Sequence, residues 1–276
     1  MVTGNKKSRA GTWGQKITPE LAQRSSLYCL ISDDNVEYAV QDAEEIVSIG
    51  RVEFGPDLTL DILPIPSGEF AKVHLAFRPT FALLAPTAFQ SAGDQRKLIE
   101  EHYNRSFQEL TIAQIAELDA NVIHTTSTSW TNLWVDRYPN AVVSCSIALN
   151  LSGMARKLKF ATTATVYAEA LGNSLEVAIW NKNALELFNI YTTQTDNDVL
   201  YHLMNACQQL DVNLDETLVT VGGNVSNGNE LDNLLKEYIP RFGYFTGLHH
   251  VRFEKGLSTI ARQEFVSLLN LVACGL

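Results

Sequence analysis

Few residues in this chain combine the type and the spacing that chemistry needs. Asp33 and Asp34 are adjacent carboxylates in the turn Ser32-Asp33-Asp34-Asn35, and Gly222-Gly223 closes the short apolar run Leu218-Val-Thr-Val221. A glycine lets backbone amides approach a phosphate with no Cβ in the way. A nearby carboxylate can hold a magnesium ion or its waters, or orient an attacking water. Gly222, Gly223, Asp33 and Asp34 are therefore the residues whose types could meet an anionic ligand or a metal ion. The competing reading is plainer. Two carboxylates beside a triphosphate repel it unless a metal intervenes, so Asp33 and Asp34 also fit an acidic, solvent-exposed hairpin turn. A glycine pair at a strand end often answers a steric need alone.

Other chemistries lack their residues. His249 and His250 are neighbours in an extended segment, where successive side chains diverge. His74, His102, His124 and His202 have no paired ligand spacing, and there is no Gly-x-Ser-x-Gly elbow, phosphate-binding P-loop or dinucleotide fingerprint. Cys29, Cys145, Cys207 and Cys274 lie far apart, which fits free thiols in a reducing compartment. The formal charge of −10 argues against a nucleic-acid binder. No apolar run has membrane-spanning length. Asn104-Arg-Ser106 and Asn224-Val-Ser226 fit a glycosylation pattern that a cytoplasmic protein never uses. The expectation is an acidic, soluble, cytoplasmic protein.

The elements that must position the candidates are clearest from Ala161 to Arg241. Thr163–Ala170, Leu175–Trp180 and Ala184–Tyr191 read as strands separated by the turns Gly172-Asn173 and Asn181-Lys182-Asn183. They predict an antiparallel meander, with Leu185 and Leu187 on one face of its third strand. Val199, Leu200, Leu203, Met204, Cys207 and Leu210 then recur at helical spacing behind a Thr195 or Asp196 cap. Leu218–Val221 is a strand covered on both faces. Asn229–Ile239 is an amphipathic helix stopped by Pro240. Three antiparallel strands followed by helix, strand and helix match the half-domain of ribonuclease H-like and actin-like folds.

Leu27–Phe54 repeats the opening of that stretch. An offset of 139 residues sets Tyr28 on Tyr167, the turn Asp33–Asn35 on Gly172–Ser174, Val36–Val40 on Leu175–Ile179, and Ile46–Val52 on Leu185–Tyr191 with no gap. The pattern implies an internal duplication. Three regions follow: a flexible N-terminal arm over 1–24, a first lobe over 25–160 and a second lobe over 161–276. The arm is locally basic through Lys6, Lys7, Arg9, Lys16 and Arg24.

Between the repeats the pattern departs. Pro56, Pro64 and Pro66 oppose a long helix over Gly55–Gly68. Lys72–Phe77 and Phe81–Leu84 are strands around an Arg78-Pro79 turn. Asp94–Tyr103 is a helix capped by Asp94, Val122–His124 a strand, and Ser129–Tyr138 a helix carrying Trp130 and Trp134 one turn apart, as core residues. Val142–Cys145 is a strand, Ile147–Lys157 a helix, and Val251–Phe253 a strand. Ile260–Ala273 is a helix with Phe265, Leu268, Leu269 and Val272 inward.

Taken whole, the chain resembles the bacterial domain-of-unknown-function family 3822. The matching stretches are Leu27–Val40, Phe81-Ala-Leu-Leu-Ala-Pro86, Leu185–Tyr191, Thr195–Tyr201, Gln209-Leu210, Val221-Gly222, Leu235–Ile239 and Leu268–Cys274. The resemblance implies an α/β, actin-like (ribonuclease H-like) duplicated fold: two similar lobes, each a mixed sheet flanked by helices. It implies no established activity. Nucleotide-binding members of the actin-like superfamily place two glycine-bearing hairpin turns, usually Asp-x-Gly-Thr or Asp-x-Gly-Ser, around the phosphates. Here the first turn has carboxylates without glycine. The second, Ala170–Ser174, has glycine without a carboxylate ahead of it. Gly222-Gly223, where relatives pack the adenosine, is the piece that survives.

The leading expectation is a non-catalytic module that uses this two-lobed shape to bind another protein and carries no cofactor. The alternatives are a nucleotide-binding protein or weak ATPase, with Asp33 or Asp34 toward magnesium and Gly222-Gly223 toward the base, and a small-molecule sensor using the same cleft.

Overall fold

The structure is a computed structural model that describes residues 10–53, 65–66, 68–89, 91–125 and 127–275. The stretch 55–68 lies largely outside these residues, as do Lys6, Lys7 and Arg9. The first half runs β1 (Ala10–Gly14), α1 (Pro19–Arg24), β2 (Ser26–Ile31), β3 (Asn35–Asp42), β4 (Glu45–Glu53) and β5 (Lys72–Phe77). An insert follows: β6 (Ala82–Pro86), α2 (Ala92–Tyr103), β7 (Thr111–Ile115) and β8 (Ala120–His124). The half closes with α3 (Thr128–Arg137), β9 (Val142–Cys145) and α4 (Ser146–Lys157). The second half runs β10 (Thr165–Leu171), β11 (Ser174–Asn181), β12 (Ala184–Thr192), α5 (Asp196–Gln209), β13 (Leu218–Gly223) and α6 (Glu230–Tyr238). It ends with β14 (Phe242–Tyr244), β15 (Arg252–Phe253) and α7 (Val266–Cys274).

The two large sheets share one strand order. The first is β4-β3-β2-β5-β9, extended by β1 on β4, and the second is β12-β11-β10-β13-β14. In each, a hairpin meander leads into parallel strands: β2, β5 and β9, and β10, β13 and β14. The 139-residue offset holds in fine detail. The register slips between Val40 and Gln41 in one meander and between Ile179 and Trp180 in the other, leaving Val47 and Glu186 as equivalent bulged residues. Ala43 (φ 52°) and Lys182 (φ 56°) take the same left-handed backbone in equivalent hairpin turns. The bulge corrects the expected face of the third strand. One extra residue between Leu185 and Leu187 reverses the alternation, so Leu187 packs with the core under α5 and Leu185 packs on the opposite face.

Two boundaries also change. Residues 10–24 are not a loose arm. β1 pairs antiparallel with the open edge of β4 from Ala10↔Val52 to Gly14↔Ser48, and Trp13 meets the Phe265 ring edge-on at 5.8 Å. Thr18 caps α1 by accepting the Leu21 amide at 3.3 Å. The last helix of each half, moreover, crosses to the other half's sheet. α4 buries Ile147, Leu151 and Met154 against Tyr167, Ala178 and Trp180 of the second sheet. α7 buries Leu268, Leu269 and Val272 against Tyr28, Leu30 and Ile49 of the first, where β15 also pairs with β4. By packing, then, 251–274 belongs with the first sheet, because its wide apolar face is needed there.

Local signals mostly hold. Thr195 and Asp198 form a reciprocal capping box on α5, and Asn229 caps α6. Trp134 is fully buried in the first core, with Trp130 packed against it. Cys29, Cys145, Cys207 and Cys274 are all free thiols. α2 is capped by Ser91 rather than Asp94, which sits three residues inside and accepts from the Ser91 hydroxyl at 2.6 Å. α7 begins only at Val266, after a tight 3-10 turn over Arg262–Phe265.

Candidate functional site

In open α/β sheets, ligands bind beyond the carboxyl ends of the parallel strands. Here those ends carry the Ser32–Asn35 turn, the Arg78 segment, the Gly172-Asn173 turn and Gly222-Gly223. Asp33 and Asp34 are exposed at their turn. Asp33 accepts a hydrogen bond from the Thr80 hydroxyl at 2.5 Å, and Asp34 accepts from the Asn35 amide at 2.8 Å. Both therefore brace the turn and the segment after β5.

The glycines have steric reasons of their own. A Cβ on Gly222 would lie 2.9 Å from Val266 Cγ1, 3.1 Å from the Gln263 carbonyl oxygen and 3.2 Å from that of Phe245. The turn leading into α7 thus rests directly on this backbone. Gly223 has φ +82°, and a Cβ there would lie 2.0 Å from the Ala170 carbonyl oxygen. The structure does not bring Gly222-Gly223 and Asp33-Asp34 into hydrogen-bond contact.

The groups it does bring together are charged, buried and far apart in sequence. Glu169 of β10 and Glu176 of β11 stand directly opposite each other across the hairpin, with only 6% and 8% of their surfaces exposed. Arg78 crosses from the first half. One of its Nη atoms donates to Glu169 Oε1 at 2.6 Å, and its Nε faces Glu176 Oε1 at 3.6 Å, an ion pair without a hydrogen bond. Ser267 of α7 donates to the other Glu169 oxygen. Asn150 of α4 donates to Ser267 Oγ at 2.8 Å and accepts from Asn270 Nδ2 at 2.9 Å. Asn270 Oδ1 accepts the Leu248 amide at 2.8 Å.

The duplication explains why an arginine must cross. Glu37 and Glu176 are equivalent under the 139-residue offset. In the first sheet Glu37 stands opposite Arg51, which donates to it twice, at 2.6 and 2.9 Å. In the second, the residue opposite Glu176 is Ile190. Glu176 has no cation in its own sheet and shares Arg78 with Glu169. Arg51 also donates to the Glu264 carbonyl and lies 5.0 Å from the Phe265 ring centroid. It therefore pins the turn that covers Gly222.

Burial opposes the charge on Arg78, but Glu169, Glu176 and Glu37 outweigh it and raise its pKa. Burial pushes the Glu176 carboxyl up to about 7, with Arg78 pulling down and Glu169 adding to the rise. A cavity of about 20 Å³, room for one water, lies beside Glu169, Glu176, Asn150 and Phe245. The arrangement can hold two halves together and store a proton. Among the described residues, no group of three His, Cys, Asp or Glu could hold a metal ion.

Sequence reasoning missed Arg78, Glu169 and Glu176. One signal was available: a glutamate at the same position of the second strand in both repeats, Glu37 and Glu176, with only the first facing an arginine.

A family model described as "Protein of unknown function (DUF3822)" matches residues 15–242. No curated protein matches the chain in sequence. Among solved structures, it is similar to a Bacteroides thetaiotaomicron protein with actin-like ATPase fold and unknown function. The TM-score is 0.72 at 15% identity, over 94% of this chain and 100% of that one. It is also similar to a chain of the PilM-PilN type IV pilus biogenesis complex, with a TM-score of 0.61 at 12% identity over 92% and 99% of the two chains. The architecture is an actin-like ATPase fold. No helix among the described residues is long and apolar enough to cross a membrane.

Proposed function

The chain belongs to the DUF3822 family of proteins of unknown function, and from that premise we propose that it is a non-catalytic module that binds another protein. The observation that carries this reading is the self-occupied cleft. Arg78 bridges the halves through buried carboxylates, and the turn before α7 lies on Gly222. A triphosphate entering between the hairpins would have to displace that turn and break the Arg78–Glu169 pair. Three buried carboxylates lie close by and would repel it. The PilM-PilN neighbour is a complex between two proteins, which supports a binding role for this shape. So does the edge strand β9, paired on one side only, where Val142 and Val143 are 60% and 47% exposed.

Two measurements test the reading. The full chain, used as bait in lysate of its source cells, is expected to retain one partner in stoichiometric amount and to lose it on Val143→Lys. Recovery of no such partner counts against the proposal. Millimolar Mg-ATP, Mg-ADP or Mg-GTP is expected to leave the melting temperature unchanged, because a ligand at about 100 times its Kd would stabilise the fold by about 2.7 kcal/mol. A shift of several degrees would revive the nucleotide site at Gly222, Gly223, Asp33 and Asp34.

A further inference from the structure

We propose that the inter-lobe cleft is a proton-binding site: Glu176, directly opposite Glu169 and sharing its one arginine, holds a proton, and its release loosens the contact between the two halves. Like charges directly opposite each other across an antiparallel pair repel, and Glu169 and Glu176 are such a pair. Both are buried, so water cannot screen them. Arg78 gives its hydrogen bond to Glu169, and the Ser267 hydroxyl is spent on the same carboxylate. Glu176 receives neither.

Among the described residues, Arg78 is the cation that acts on Glu176. Opposite Glu176 on β12 is Ile190. α4 presents Ile147, Asn150 and Leu151 to the shared cavity, and the nearest titratable group at its start is the Cys145 thiol. That thiol is itself pushed up to about 11 by burial, with the Glu176 charge adding to the rise. Glu37 adds negative charge on the far side of Arg78, but Arg51 is already committed to it. Three carboxylates and two guanidiniums thus leave one excess negative charge, and a proton on Glu176 removes it. The upward shift of the Glu176 carboxyl agrees. The proton comes from solvent and returns to it, and no other bond changes.

The site couples to the lobe contact because its parts span it. Arg78 comes from the first half and the two glutamates from the second, while Ser267 sits on α7, whose other faces pack on the first sheet. When Glu176 is ionised, Arg78 is drawn between two carboxylates and its grip on Glu169, the carboxylate that Ser267 also holds, weakens. This proposal does not depend on the protein-binding reading and stands or falls separately.

The test uses the full chain. Hydrogen exchange of amides in 146–151 and 262–270, corrected for intrinsic rate, is expected to lose at least about tenfold in protection between about pH 6 and pH 8.5. Glu176→Gln, which stays neutral, is expected to keep the low-pH protection throughout. Equal loss in both proteins, or loss in neither, would overturn the proposal. A measurement on the unaltered protein guards against a variant that fails to fold: carboxyl-carbon NMR of glutamate-labelled chain is expected to show one glutamate titrating between about pH 6 and 8. If every glutamate titrates below about pH 5.5, no proton is held in the cleft and the proposal fails.

Discussion

Arg78→Met is the most informative single substitution, because it keeps the aliphatic volume and removes the charge. Arg78 is 7% exposed at its side chain and faces carboxylates that are 7% and 9% exposed. Removing one partner of a buried ion pair costs about 3–5 kcal/mol, since the opposite charge stays behind without compensation. An unfolding entropy of about 2.1 cal/mol/K per residue gives roughly 0.6 kcal/mol/K for the whole chain, so the melting temperature should fall by about 5–8 °C. The pH dependence supplies a second check. Losing the guanidinium, which pulls the Glu176 carboxyl down, raises the folded-state pKa of Glu176 further above its unfolded value. Stability held through such raised groups is present at low pH and lost as pH rises, so the deficit should be smaller near about pH 5 than near about pH 8. Calorimetry at both pH values reads it directly. Adding Glu169→Gln and Glu176→Gln to Arg78→Met should restore roughly half of the loss, because no unpaired charge then remains. A variant melting within about 1 °C of the parent, or a deficit that ignores pH, would refute the reasoning.

Other substitutions probe the parts around this network. Arg252→Ala breaks the Arg252–Glu44 pair, whose side chains are 64% and 75% exposed, and should cost no more than about 1 kcal/mol in the same calorimetry. Gly222→Ala should cost about 1–3 kcal/mol as a Cβ meets Val266 and two backbone oxygens, and Gly223→Ala should cost more, since backbone blocks it at 2.0 Å. Denaturant midpoints at unchanged slope measure both; a neutral Gly222→Ala would mean that the turn before α7 does not rest on this backbone, and a neutral Gly223→Ala that Ala170 does not crowd it. Asn270→Ala strands the buried Leu248 amide and should lose about 1–3 kcal/mol by the same measure. Trp134→Ala empties a fully buried site and should cost about 3–5 kcal/mol, with an exposed Trp134 as the alternative if the loss is negligible.

What could be read from the chain alone was whatever depends on near neighbours. Alternation and turn residues placed both meanders, and helical spacing placed α5 behind a Thr195 or Asp196 cap and α6 between Asn229 and Pro240. The constant offset exposed the duplication, because two copies of one pattern carry the same local code. Tertiary contact decided the rest. Nothing near Leu185 or Leu187 in sequence marks the bulge that separates their faces. The exchange of α4 and α7 between sheets follows from which apolar face lies within reach, and helical periodicity is blind to it. That the turn at Gln263–Val266 rests on Gly222 is likewise absent from the local pattern. Arg78 had the appearance of a turn residue, and its partner Glu169 lies 91 positions away. Electrostatic energy depends on distance and burial, and neither is written in the order of residues. That is why the elements were legible and the cluster joining them was not.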